Sequence, residues 1–126
     1  MTTNDDIADA LFRAIEAGDV DAVAGLYADD AVIWHNFDRV EQTRDMNLAV
    51  LTFVVRNLQE RHYDDVVRHP IDGGFVQQHV LRGTTTAGVE VQVPACVVVK
   101  VADGKITRID EYLDTRQIEP LTTASQ

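Results

Sequence analysis

Apolar residues recur at helical spacing over the first part of the chain and alternate with polar ones over the second. Ile7, Leu11, Phe12 and Ile15 fall on one face of a helix that Thr3 or Asn4 can cap. Asp5, Asp6 and Asp9 lie near its positive end, and Gly18 stops it. Asp19 then caps a shorter helix with a stripe of Val20, Val23, Leu26 and Tyr27. After "ADDA" comes a short strand from Val32 to His35, followed by a polar loop through Asn36, Asp38 and Arg39. A third helix is expected from about Glu41 to Leu58, with Met46, Val50, Phe53, Val54 and Leu58 as its core face.

Beyond that point the pattern is that of strands. Segments 62–69, 74–85, 89–102 and 105–114 are rich in Val, Ile, Thr and aromatic residues, and the turn sequences "DGG", "TAG" and "ADG" separate them. The predicted order is helix, helix, strand, helix and a four-stranded antiparallel meander, an α+β arrangement with the helices gathered on one side. Strands of about ten residues twist and curl the sheet. Helices covering only part of its concave face leave a pocket for a small apolar ligand. The other face, to which alternation assigns Val97, Val99 and Val101, needs a cover, and a second copy of the chain is the simplest one. A homodimer through the sheet face is therefore expected.

Length makes residues 1–126 one domain, with an ordered core over about 4–118 and loose ends in "MTTND" and in "PLTTASQ" after Glu119. The net charge of -10, from 21 acidic against 11 basic residues, repels phosphate backbones and anionic membranes, so neither nucleic acid nor a membrane is an expected partner. The longest apolar run, around "CVVVKV", is too short to cross a bilayer, and the acidic start lacks the pattern of a signal peptide. A cytoplasmic location is the expectation. The single cysteine, Cys96, permits no internal disulfide. His35, His62, His69 and His79 show no metal-ligand spacing, and no glycine-rich phosphate loop occurs, so no metal and no cofactor is expected.

The stretches "EAGDVDAVAGLYADDAVIW" at 16–34 and "VADGKITRIDEYLD" at 101–114, in this order of elements, resemble the SnoaL-like, or nuclear-transport-factor-2-like, domains over nearly the whole chain. The resemblance implies a conical α+β barrel of the ketosteroid-isomerase-like or cystatin-like kind. In it, a curved antiparallel sheet packs on three helices from the N-terminal half, with the pocket between them and a dimer across the sheet. Related members include ketosteroid isomerases, polyketide cyclases, epoxide hydrolases, dehydratases and domains that only bind or associate. Fold alone does not choose among them.

In ketosteroid isomerases a motif like "YADDA" at 27–31 precedes, by four residues, the aspartate that takes the substrate proton; here that position is His35. The residues that polarise the substrate carbonyl in those enzymes correspond by count to Leu11 and Cys96, which donate no strong hydrogen bond. Ketosteroid isomerisation is therefore not expected. His35 is instead the first candidate to move a proton, and the other reading is a strand-end histidine bonded to a backbone carbonyl.

Alternation puts Ile33 beside His35, and the family comparison places Ile109, Glu111 and Leu113 inside the cone. Glu111 and His79 are the candidates to orient His35 or act as the second acid/base group; the plainer alternative for each is a place on the dimer face. Gln77 shares the face of His79, and one of His79 and Arg82 points inward. Trp34 falls on the face opposite Ile33, yet with Phe53 it is one of the large aromatics that can wall the cavity or simply pack the core. These residues lead to two hypotheses: a cofactor-free acid/base enzyme acting on an apolar cyclic substrate, or a non-catalytic ligand-binding or association module.

Overall fold

The computed structural model describes residues 2–123. Its first helix, α1 (Asn4–Ala17), begins on a reciprocal cap. Asp6 N–H donates to Thr3 Oγ1 at 3.0 Å and Thr3 N–H donates to Asp6 Oδ2 at 3.0 Å. It ends at Gly18, whose φ of 75° suits a residue without a side chain. Asp19 caps α2 (Val20–Leu26) by accepting from Ala22 N–H. Tyr27, expected to finish that helix, instead opens β1 (Tyr27–His35), which is longer than the pattern suggested, and remains buried.

The segment expected to begin the third helix first forms a short strand, β2 (Glu41–Thr43), paired with Val32, Ile33 and Trp34 of β1. Thr43 then caps α3 (Arg44–Asn57). Met46 and Val50, assigned to its core face, are largely exposed, and Asn47 is buried between them. The reason is a polar chain that periodicity does not reveal: Tyr27 Oη donates to Asn47 Oδ1 at 2.9 Å, and Asn47 Nδ2 donates to Gln42 Oε1 at 3.2 Å.

Four long strands follow: β3 (Leu58–Ile71), β4 (Gly74–Thr85), β5 (Glu90–Ala102) and β6 (Lys105–Leu113). The sheet runs in the order β2-β1-β6-β5-β4-β3. The expected meander is antiparallel throughout, but β1 joins it by pairing parallel to β6. Two register shifts bend β3, between Gln59 and His62 and between Asp64 and Val67, with Glu60 and Asp65 at positive φ. Bulges of this kind curl a sheet around what it encloses. At the far end β4 and β5 meet closely, since a Cβ on Gly74 would stand 1.8 Å from the Val99 carbonyl oxygen.

The facing of β5 is opposite to the expectation. Gln77 pairs with Val97 and Val97 with Glu111, so Val97 and Val99 are buried on the concave side and Val101 packs half-buried against the same core. Cys96 is thereby on the convex side with its neighbours Gln78 and Tyr112. A count along one strand leaves its facing undetermined, because a slip of one residue exchanges the two faces.

Arg61 ties the helical layer to the sheet. Its guanidinium donates to the carbonyls of Ile15, Glu16, Val55 and Leu58, which close the C-terminal ends of α1 and α3. The chain past Glu119, expected to be loose, continues through Thr123 in a fourth helix, α4 (Thr115–Thr123). Its Leu121 is buried in a cluster with Leu58, Val91 and Val93, and Ile118 packs against the same cluster, which holds the segment on the sheet. The expectation of loose ends at Met1 and at 124–126 lies outside the described residues. Among the described residues no helix is long and apolar enough to cross a membrane.

Candidate active site

Between the concave face of the sheet and helices α1, α3 and α4 lies a cavity of about 400 Å³. Its wall is mostly aliphatic and aromatic, as a site for an apolar molecule requires. Leu11, Ile33, Phe53, Ile109 and Leu113 line it, and so do His35, Glu111 and His79. Trp34 and Cys96 do not. Trp34 stacks edge-on against Tyr112 across the convex side, with ring centroids 5.3 Å apart, because β1 pairs in register with β6 and their outward residues meet there. Gln77 points inward but is only 1% exposed, covered rather than open to the cavity.

His35 and Glu111 are brought together by the parallel pairing of β1 with β6, in which they are direct partners. His35 Nε2 stands 3.0 Å from Glu111 Oε1. Burial by itself would push the imidazole down, but the hydrogen bond and charge of Glu111, with Asp38 adding to them, carry it above its ordinary value. The other ring nitrogen, Nδ1, is shut away with no hydrogen-bond partner among the described residues. Its side-chain exposure is 11% against 24% for Glu111, so the carboxylate is the more accessible member of the pair. Phe37, whose ring lies 5.2 Å from that of His35, covers the imidazole from the loop after β1.

His79 stands two strands away on β4. Its ring is braced edge-on by Tyr63 at 4.7 Å and Phe12 at 5.3 Å, and its Nδ1 is 2.9 Å from Gln77 Nε2. Burial lowers its proton affinity, with the negative Glu111 opposing that shift. Burial and the charge of Glu111 hold the Tyr27 and Tyr63 phenols well above their ordinary range, so both stay neutral. Arg82, the alternative inward group on β4, faces out to Asp64 and Asp65.

The contributions of Tyr27, Asn47, Gln42 and Phe37 to the wall, and those of Ile118 and Leu121 from α4, were not anticipated. Tyr27 carried a signal, being the aromatic of "YADDA"; Asn47, flanked by the apolar positions that periodicity assigns to the helix face, carried none. Among the described residues no three His, Cys, Asp or Glu side chains are clustered to hold a metal ion.

The family model described as a SnoaL-like domain matches residues 8–109. The chain belongs to the SnoaL-like domain family. No match to a curated protein was found. Solved structures resemble this SnoaL-like chain over nearly their whole length. One is a hypothetical protein with a ketosteroid isomerase-like fold from Catenulispora acidiphila, in complex with trimethylamine, at 15% identity over 98% of both chains with a TM-score of 0.81. Another is a candidate SnoaL-like polyketide cyclase from Shewanella putrefaciens, at 12% identity over 98% of both chains with a TM-score of 0.81. A third is a candidate polyketide cyclase from Xanthomonas campestris, at 20% identity over 96% of both chains with a TM-score of 0.80.

At such identities the likeness establishes the fold, the ketosteroid isomerase-like α+β architecture, and leaves the chemistry to the site. In this SnoaL-like pocket the position taken by count for a carbonyl-polarising group on α1 is Leu11, an apolar wall residue. The corresponding place on β5, counted as Cys96, is corrected by the strand's facing to its inward neighbours Ala95 and Val97. Neither side chain can donate a hydrogen bond.

Proposed function

We propose that this SnoaL-like domain is a cofactor-free acid/base enzyme acting on an apolar, cyclic substrate held in the cavity, of the isomerase, cyclase, dehydratase or hydrolase type. The observation that carries the proposal is the 3.0 Å contact between His35 Nε2 and Glu111 Oε1 on the wall of an otherwise apolar cavity. A buried imidazole in contact with a half-buried carboxylate forms a unit that can take up and return one proton near neutral pH. Because Nδ1 of His35 is enclosed, exchange with the substrate runs along the Nε2–Oε1 edge, where Glu111 is the more exposed. His35 then sets the charge of the carboxylate and receives or releases the proton behind it.

The test does not depend on the identity of the natural substrate. Polycyclic ketones are incubated with the protein in deuterated water and exchange next to the carbonyl is followed by NMR. Glu111→Gln and His35→Phe are expected to slow exchange by roughly 10²–10⁴-fold, the usual range for losing a positioned acid/base group. Unchanged rates in both variants would remove the assignment. Ligands that stabilise the fold without any exchange in the parent protein would favour the binding-module reading instead.

The same proposal includes a homodimer across the convex face. That face presents Tyr112, which is 50% exposed, beside Trp34 and Val98. Tyr112→Lys is expected to shift the protein to monomer in light scattering.

A further inference from the structure

We propose that His79 is a fixed, neutral hydrogen-bond donor that presents Nε2–H to an oxygen of the bound molecule, and that the substrates of this cavity accordingly carry a carbonyl group. The observation is a relay running inward from the surface. Asp9 Oδ1 accepts from Arg68 Nη1 at 3.0 Å, and Asp5 accepts from the same nitrogen. Arg68 Nε in turn donates to Gln77 Oε1 at 2.8 Å. A guanidinium only donates, so this bond fixes which end of the Gln77 amide is oxygen. The amide nitrogen is left facing His79 Nδ1 at 2.9 Å, and because it too only donates, Nδ1 must accept. The neutral ring then carries its proton on Nε2, at the outer edge of an imidazole that lines the cavity.

Protonating His79 would set Nδ1–H against the amide N–H of Gln77, which Arg68 keeps from turning over. The ring is thus held neutral as well as oriented. Of the charged and titratable groups around it, the negative Glu111 favours the protonated ring, and burial outweighs it. Tyr63 on β3 is a neutral phenol, Arg68 on β3 acts through Gln77, Asp5 and Asp9 on α1 hold Arg68, and Glu111 faces it from β6. Phe12 on α1 and Ala95, its partner on β5, contribute no charge.

Such a donor fills the place left by Leu11 and by the apolar residues of β5. His79 pairs with Ala95 and Ala95 with Leu113, so His79 lies two strands from Glu111 and two residues further along, roughly 10–12 Å between backbones at ordinary strand spacing. Two side chains reaching inward from those points leave room for a ring system between them. For a substrate bound there, the carboxylate of the His35–Glu111 pair takes a proton from the carbon next to the carbonyl. The C–H electron pair becomes the C=C bond, the carbonyl π pair moves onto oxygen, and that oxygen accepts from His79 Nε2–H. Return of the proton from the pair to another atom of the substrate completes the cycle. Gln77 and Arg68 are positioning residues, and the reaction step rests on the acid/base reading of His35 and Glu111, whereas the donor itself does not.

Long-range ¹H–¹⁵N correlation on the whole protein tests the donor directly. His79 is expected as the neutral Nε2–H form at neutral pH and to remain so below the ordinary histidine range. Gln77→Glu is nearly isosteric and supplies only acceptors, so it should turn Nδ1 into a donor and bring the titration of His79 above 6.5. An Nδ1–H form in the parent protein, ordinary titration near 6.5, or a spectrum unmoved by Gln77→Glu would overturn the proposal.

The substrate class is tested with 2-naphtholate, a planar oxyanion probe. Its binding should move the Nε2 proton of His79 downfield and weaken at least tenfold in His79→Phe, while 2-methylnaphthalene binds both proteins alike. No shift on saturation, or equal loss for both probes, would overturn it. Repeating the spectra in Glu111→Gln separates the two readings: deuterium exchange then reports on the acid/base pair, and the His79 signals report on the donor alone.

Discussion

His35 and Glu111 are partners in the only parallel strand pairing among the described residues, and their side chains meet at 3.0 Å inside the cavity. Replacing Glu111 by Gln removes the charge and keeps the shape. The imidazole then retains the burial that lowers its proton affinity and loses the hydrogen bond and charge of Glu111, with only the weaker Asp38 left to oppose burial, so its NMR titration is expected to move from above 6.5 to below it. A titration that stays above 6.5 in Glu111→Gln would assign the shift to another group.

The two cavity histidines should tilt the stability curve in opposite directions. The pKa of His35 is raised on folding, so its contribution is complete below the unfolded value of 6.5 and fades as pH rises through the folded value. His79 has a lowered pKa, and its contribution is present above 6.5 and lost as pH falls through the folded value. Urea unfolding between about pH 5 and pH 9 should show the parent's advantage over His35→Gln shrinking above 6.5. Its advantage over His79→Gln should shrink below 6.5.

Tyr27→Phe should destabilise the fold by about 1–3 kcal/mol, since it leaves the buried Asn47 Oδ1 without the hydroxyl that satisfies it. The double variant Tyr27→Phe with Asn47→Leu should recover part of that loss. Additive losses in the double variant, measured by denaturant unfolding, would show that the two side chains do not act as a unit.

Leu121→Ala should destabilise by about 2–4 kcal/mol, because the side chain seats α4 on Leu58, Val91 and Val93. The same change opens the α4 side of the cavity, so it should weaken binding of an apolar probe as well as lowering the unfolding midpoint. A midpoint unchanged from the parent would mean that α4 is not held by this contact.

Arg61→Met should lower stability by about 3 kcal/mol, as four carbonyls that end α1, α3 and the turn into β3 lose a charged donor. Unfolding followed by circular dichroism should register the loss; a change below about 0.5 kcal/mol, the ordinary range for a surface substitution, would show that those carbonyls find other donors.

Local patterning carried the elements because each is governed by neighbours in sequence. Thr3, Gly18 and Asp19 act on backbone groups within a few residues, and the alternation in 74–85 and 105–113 needs only one buried face. The family stretches placed His35 and Glu111 on the concave side together. Where a residue's surroundings are built by a distant segment, local patterning failed. Asn47 is buried by Tyr27 and Gln42, Cys96 faces outward through pairing across three strands, and α4 is seated on β5 by Leu121. Trp34 was already on the outward side by alternation, and its contact with Tyr112 follows from the β1–β6 register.

By itself the sequence determined that there would be an α+β chain with helices first and a long meander after, of SnoaL-like kind, with a histidine delivered by the first strand to the pocket side. The elements are consequences of period, capping and turn chemistry, which act over a few residues; the SnoaL-like kind and the pocket side of His35 came from the resemblance to that family. Only the tertiary structure decided that His35 would find Glu111, that Gln77 would be turned by Arg68 toward His79, and that α4 would help close the cavity. Register between strands and the pairing of donors with acceptors depend on which distant groups share a volume, and no short stretch of sequence specifies that.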